Sequence, residues 1–417
     1  MPMMSPSFFL LLFLLAKLTE YFFFLWLHYL NANEVKKNSF VPERFSSRMP
    51  QEKYSQSRQY TLAKSRFGFY SETYDLLVLL AFLFSGGFTL FENISVHFSS
   101  SEWLQGIIFC FTIIVGKEII DMPFDLYFTF ILEKKYGFNK MTASLYIKDF
   151  IKKILLSFLL GAPLIVFLLW VIRATGDKWW IYGFGAVTGF QLFIMWIYPV
   201  WISPLFNRFV PLENGELRSR IMNIAREIRF NISEIFVMDG SKRSTHSNAY
   251  FTGFGKNRRI VLFDTLIKSL STNELVGVLT HEMAHNKLKH IRKFLILSLL
   301  LTGTGFYIWN LLLYTPEFYQ AFGLKGEHLF PSLILFPMLL GPFSFLLAPF
   351  MNFLSRKHEF EADAFAAKVT HSPNDLKEAL LKLNEENLSN LTPHPLYSFF
   401  YYSHPTLAER LNSLDKI

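Results

Sequence analysis

The stretch His281-Glu282-Met283-Ala284-His285 carries the most evident chemistry in this chain of 417 residues. It reads His-Glu-x-x-His within a segment whose residues favour a helix. On a helix, positions i and i+4 share a face, so both imidazoles can reach one metal ion. Glu282, beside the first histidine, then points at a water on that ion. Zinc lowers the pKa of bound water toward about 7. A carboxylate base takes the proton, the hydroxide attacks a scissile carbonyl, and the proton passes to the leaving amine. This is the machinery of a zinc peptidase. Two histidines at this spacing also occur on helices that bind nothing, so the pattern gains meaning only with a third ligand.

A catalytic zinc site takes three protein ligands and keeps one open position. The chain has 1 Cys, Cys110, within an apolar run, which excludes a thiolate cluster and any internal disulfide. The third ligand must be another histidine or a carboxylate. Glu359 is the best candidate, in the Ala-rich, helix-favouring segment Arg356-Lys357-His358-Glu359-Phe360-Glu361-Ala362-Asp363-Ala364. Asp363 lies one turn on and faces the same way, so one carboxylate can bind metal while the other orients a ligand imidazole. His358 and Glu361 are rivals, but Ala362 and Phe365 stand where their acidic partners would be. Near the C-terminus, His404-Pro405 and Arg410 could stabilise an oxyanion, or could simply start a helix with an exposed arginine. Ser247–Gly253 and Arg259–Phe263, with Gly255, Lys256 and Asn257 between, read as a β-hairpin. Its edge could take up an extended peptide, with Asn248 holding the substrate backbone, or the hairpin could be purely structural.

The elements that must position these groups are mostly membrane helices. The chain is 51% hydrophobic with 48 Phe, and its mean hydropathy is +0.27, more apolar surface than a soluble chain of this length can hide. Runs long enough to span recur at Phe8–Tyr29, Leu76–Phe91, Trp103–Leu132, Ile154–Ile172, Trp179–Ile202, Phe294–Leu313 and Leu329–Leu354, about seven spans. The first is long and lacks a small-residue cleavage site, so it reads as a retained helix rather than a signal peptide. The net charge of +8 is spread over loops. Basic residues crowd the loops after spans one and three and the stretch Ser203–Lys293, which places the N-terminus outside and the soluble blocks in the cytoplasm. No basic, aromatic-interleaved patch suggests nucleic acid. Lys117, Glu118, Asp121 and Asp125 in the third run either face a cavity or lie just beyond the membrane.

The chain thus divides into 1–202 with five spans, 203–293 with the hairpin and the His-Glu-x-x-His helix, 294–354 with two more spans, and 355–417 with the third ligand. Ser271-Thr272-Asn273-Glu274 fits a capping box that starts the metal helix. No Pro follows before Lys293, so that helix is expected to run on into span six.

With these residues in view, the chain resembles the type I CAAX prenyl endopeptidases, integral-membrane zinc metalloproteases of the gluzincin type. The resemblance rests on His281-Glu282-x-x-His285, on Glu359-x-x-x-Asp363-Ala364-Phe365-Ala366, and on His404-Pro405 with Arg410. Further stretches agree: Glu52-Lys53-Tyr54, Ser57-Arg58-x-Tyr60-Thr61-Leu62, Lys64-Ser65-Arg66-Phe67, Tyr136-Gly137-Phe138-Asn139, Ser203-Pro204-Leu205-Phe206-Asn207, and Gly240–Ser244 with His246–Tyr250. It covers nearly the whole chain. It implies seven helices forming a barrel around a water-filled chamber, capped on the cytoplasmic side by a small α+β zinc-peptidase portion. It implies one Zn2+ held by His281, His285 and Glu359, with Glu282 as base, Asp363 supporting a ligand, and Asn248, His404 and Arg410 lining the substrate site. It implies removal of the last three residues from proteins bearing a prenylated C-terminal Cys. Met283, Ala284 and Asn286 depart from the family pattern at positions that hold no metal.

The expected substrates are prenylated or membrane-associated proteins and peptides, met in contact with membrane lipids. The compact chain suits a bacterial inner membrane, or the endoplasmic reticulum if the source is eukaryotic. The same site could instead serve membrane-protein quality control without a prenyl group. A chamber that only shelters a lipid or peptide would carry a structural zinc, which a fourth protein ligand normally closes.

Overall fold

The computed structural model describes residues 5–252 and 259–417. The chain opens with α1 (Pro6–Lys37), capped by Ser5 with Pro6 at the first helical position. Four helices follow: α2 (Gln51–Phe84), α3 (Gly87–Phe98), α4 (Glu102–Tyr127) and α5 (Ala143–Thr175). A π-helical segment, Phe128–Glu133, extends α4, and another, Tyr198–Ile202, extends α6 (Trp179–Ile197). The peptidase part holds β1 (Phe209–Pro211), α7 (Glu216–Glu227), β2 (Glu234–Met238), β3 (Ala249–Thr252) and β4 (Arg259–Phe263). Then come α8 (Asp264–Ser269), α9 (Thr272–Lys287), α10 (His290–Leu313), α11 (Pro316–Gln320) and α12 (Ser332–Thr370). The chain ends with α13 (Pro373–Glu386), α14 (Pro395–Tyr401) and α15 (Leu407–Leu414).

Among the described residues, 5 helical stretches are long and apolar enough to cross a membrane. One of them, Ala143–Leu205, contains both α5 and α6. The long helices pack in a ring. Each of α1 to α6 packs on the next, α6 then packs on α10, α10 on α12, and α12 back on α1. Only 11% to 22% of the most apolar window of each membrane stretch is buried. The remaining surface of each stretch faces either the lipid or the inside of the ring. One end is plugged by aromatics, among them Phe9 and Phe13 of α1, Trp179 of α6, and Phe318, Phe322 and Phe330 between α10 and α12. The His-Glu-x-x-His segment lies at the opposite end, where α10 begins and α12 leaves the apolar zone.

Three boundaries differ from the sequence expectation. Span two is the second half of α2, which begins at Gln51 rather than in the apolar run at Leu76 and ends before Gly86 (φ +76) turns the chain into α3. The polar first half of α2 is helical because it buries Tyr54, Ser57, Tyr60 and Thr61 against the C-terminal part; Ser57 Oγ donates to the Ser389 carbonyl at 2.7 Å. Span three, by contrast, keeps its expected extent, one helix from Glu102 with a π-helical end at Glu133. The metal helix does not run into span six: α9 stops at Lys287, Lys289 takes a left-handed conformation (φ 60), and α10 starts at His290. Span seven has no end at Leu354, since α12 continues unbroken to Thr370.

The sheet order is β1-β2-β4-β3, with β2 and β4 parallel and the other pairs antiparallel. β3 is an edge strand and packs on α9. β3 and β4 pair as the hairpin reading expects; its turn residues Gly255, Lys256 and Asn257, together with Gly253, lie outside the described residues. Leu275, Val276, Leu279 and Met283 of α9 share one core with Ile260 and Leu262 of β4, Ala366 of α12 and Leu376 of α13. Each such large side chain stabilises the fold by about 1.5–3 kcal/mol. α9 approaches α13 so closely that a Cβ on Gly277 would meet the Leu376 backbone nitrogen at 3.3 Å.

Candidate metal centre

Helix α9 starts with the capping box expected of it: Ser271 accepts from the Glu274 amide, and the Glu274 carboxylate accepts from the Ser271 amide at 2.7 Å. From that fixed start, His281 and His285 fall on the face turned toward α12. His281 Nε2 lies 3.2 Å from His285 Nε2. Glu359 of α12 closes the triangle, with Oε2 at 3.4 Å from His281 Nε2 and Oε1 at 3.2 Å from His285 Nε2. Zinc bonds of about 2.0–2.1 Å in a tetrahedron separate ligand atoms by roughly 3.3 Å. The three donors therefore already stand at the spacing such an ion needs. Glu359 Oε2 is buried without a hydrogen-bond partner, which a bound cation would supply.

Asp363, one turn past Glu359 and fully buried, lies 2.8 Å from His281 Nδ1. Arg410 of α15 grips the other side of that carboxylate, with Nε 2.8 Å from Oδ2 and Nη2 2.6 Å from Oδ1. Its remaining Nη1 is 3.8 Å from Glu359 Oε2. The guanidinium is thus largely committed to Asp363. His404 is the more open group: its ring is exposed and its Nε2 is 3.6 Å from Glu359 Oε1. Burial favours a neutral His281, but Asp363 and Glu359 outweigh it and lift the pKa to about 9 in the metal-free chain, so a cation must displace that proton. Burial lifts the Glu282 carboxyl above the usual carboxylate range, against the pull of His281 and His285. Asn248 sits exposed at the start of β3, its Oδ1 accepting from the Ala249 amide at 2.8 Å.

The rival ligands His358 and Glu361 do not join the triangle. They gather around His290, whose importance sequence reasoning missed. His290 is 2% exposed, with Nδ1 3.1 Å from His285 Nδ1 and Nε2 2.9 Å from Glu361 Oε2. If Glu361 accepts from His290 Nε2–H, His290 Nδ1 is left as an acceptor. His285 then donates from Nδ1 and keeps Nε2 free for metal. The His290 and His358 rings stack at 4.0 Å and 9°, so their in-plane lone pairs run side by side rather than toward a common ion. The signal was present as a histidine five residues past His285 and a second carboxylate two past Glu359, but neither spacing belongs to a familiar pattern.

A ring of membrane helices with a His-His-Glu triangle at one end defines a membrane-embedded metallopeptidase. Residues 31–208 match the family described as CAAX prenyl protease N-terminal, five membrane helices, and residues 211–417 match Peptidase family M48. The chain is 40% identical to "CAAX prenyl protease 1 homolog" of Oryza sativa subsp. japonica over 87% of both chains. It is 34% identical to the protein of that description in Homo sapiens, over 91% of this chain and 89% of the other. The crystal structure of S. mikatae Ste24p superposes with a TM-score of 0.93 at 35% identity, covering 98% of this chain and 99% of that one. The chain belongs to peptidase family M48, in the branch that carries the CAAX prenyl protease N-terminal region; it is a multi-pass membrane metallopeptidase that uses a metal cofactor.

Proposed function

We propose that the cofactor is one Zn2+ held by His281, His285 and Glu359, and that the enzyme removes the C-terminal tripeptide from prenylated CAAX proteins. The reading is carried by the 3.2–3.4 Å triangle of donors, a spacing at which the three residues would hold one zinc ion. The relatives named for CAAX prenyl protease supply the substrate class. When bound, the ion supplies Lewis acidity to a water and to the scissile carbonyl.

The chain's own groups do the rest. Glu282 takes the proton from the attacking water and returns it to the leaving nitrogen; its raised pKa suits both halves of that task. His404 donates to the developing oxyanion. Arg410 holds Asp363, and Asp363 holds the His281 ring. β3 offers its free edge to the substrate backbone, with Asn248 at its start. The metal end faces the cytoplasm. The relatives compared include eukaryotic proteins from rice and human, which favours the endoplasmic reticulum membrane, with membrane lipids around the ring.

Glu282→Gln is expected to retain zinc and lose about 10²–10⁴-fold in proteolysis. Matched farnesylated and unmodified peptides test the substrate: the farnesylated one should be strongly preferred. Equal cleavage of both would turn the reading toward quality control, and proteolysis retained by Glu282→Gln would end the mechanism.

A further inference from the structure

A second cavity opens beside the metal centre, and its chemistry is unlike that of the rest of the ring. It measures about 530 Å³ and reaches from His404 inward to α1 and α2, past Asn384, Asn390 and Tyr402. Among the described residues no strand and no carboxylate lines it, whereas Lys64 of α2 does. The Lys64 ammonium rests 4.1 Å from the centroid of the Tyr60 ring. The nearby Glu133 is already engaged, accepting from Tyr60 Oη at 2.5 Å and lying 3.2 Å from His246 Nε2. Glu133 acts on Lys64 electrostatically, but among the described residues no ion pair is recorded for its ammonium. Two further lining residues hold buried polar atoms without a partner, His28 Nδ1 and Asn384 Oδ1. A cavity with one cation, no anion and unsatisfied polar atoms is built for a polar, anionic guest.

We propose that this cavity receives the leaving tripeptide and that Lys64 binds its C-terminal carboxylate. The inference rests on the CAAX reading given above. Three extended residues span at most about 10 Å, short enough to lie within a cavity of this size. Peptide amides would meet the free Asn384 oxygen, and the terminal carboxylate would meet the ammonium. Only the true end of a protein carries that carboxylate, so Lys64 fixes the cut a set distance from the C-terminus. Lys64 makes this a specificity determinant, separate from the groups that do the chemistry.

The test uses one farnesylated CAAX peptide in two forms, with a C-terminal carboxylate and with a C-terminal amide. The full-length enzyme should cleave the carboxylate form about 10- to 100-fold more efficiently, as expected for losing one charge-assisted contact. Lys64→Gln should lower kcat/KM for the carboxylate form by the same factor, mainly through KM, and leave the amide form unchanged. Lys64→Arg should restore most of the preference. Equal cleavage of both forms by the unaltered enzyme overturns the proposal while leaving the CAAX reading intact. An equal loss on both forms in Lys64→Gln overturns it too, since that marks a structural effect. No cleavage of either farnesylated form removes the reading and the proposal together.

Discussion

At the level of single side chains, the two proposed imidazole ligands are held from behind by unlike supports. His281 leans on a carboxylate locked by Arg410, while His285 leans on a second imidazole and then on Glu361 at the rim. The first support could be read from the sequence, because Glu359 and Asp363 stand one helical turn apart. The second could not: it depends on the chain break at Lys289, which swings His290 back under His285, and nothing in the local residue types announces that break. Replacing His290 with Ala should therefore weaken zinc binding by about 10–100-fold. Chelator competition on the purified protein would measure it, with thermal melting expected to show an intact fold. Unchanged zinc affinity would mean that the His285 ring is fixed by packing alone.

At the level of elements, α9 illustrates why sequence signals find helix starts more readily than helix ends. Its capping box is written in four consecutive residues, Ser271 to Glu274, whereas its stop is imposed by packing around a residue with no Gly or Pro signature. The polar half of α2 was hidden for a related reason: its buried face is made of Tyr, Ser and Thr rather than aliphatic residues, so no apolar period marks it. The capping Glu274 also pairs with Lys382 of α13 at 2.7 Å, tying two helices together. Burial works to raise its pKa, but Lys382 and the Ser271 donors outweigh that and depress it. Its contribution to stability is then fully present above the unfolded carboxylate value of about 4.3 and is lost as pH falls through the lower folded value. Glu274→Ala should destabilise the peptidase part by about 1–2 kcal/mol at pH 7. The difference from the unaltered protein should shrink in melts at or below the depressed folded value, and a gap that stays constant there would contradict the assignment.

Across the molecule, the membrane ring and the peptidase part meet through a polar weld. Tyr60 of α2, Glu133 at the end of α4's π-helical extension, His246 just ahead of β3, and Asn387 after α13 form one chain of contacts, from 2.5 to 3.2 Å. Hydropathy shows where helices cross but is blind to such a chain, because its members are scattered over the sequence. Hydropathy alone gives neither the ring's closure, which came from the family resemblance, nor the separate α3 within it. Glu133→Gln should leave zinc content unaltered and loosen the segment leading into β3. Hydrogen exchange at residues 244–252 should rise, and kcat/KM should fall by about tenfold, as expected for weakening one buried network of roughly 1–3 kcal/mol. Unchanged exchange there would show that the weld does not hold the strand.

Helix α12 runs for 39 residues without a break, roughly 58 Å, and carries Glu359 and Asp363 beyond its apolar portion. Its apolar portion holds Pro337, Pro342 and Pro349, places where the helix can bend as its tilt changes. A thinner or thicker bilayer that changes this tilt shifts the far tip, where one carboxylate sits 3.2–3.4 Å from two imidazoles. Proteolytic rate is therefore expected to vary with acyl-chain length when the protein is reconstituted in bilayers of graded thickness, and a constant rate would mean that α12 takes up the mismatch at its prolines.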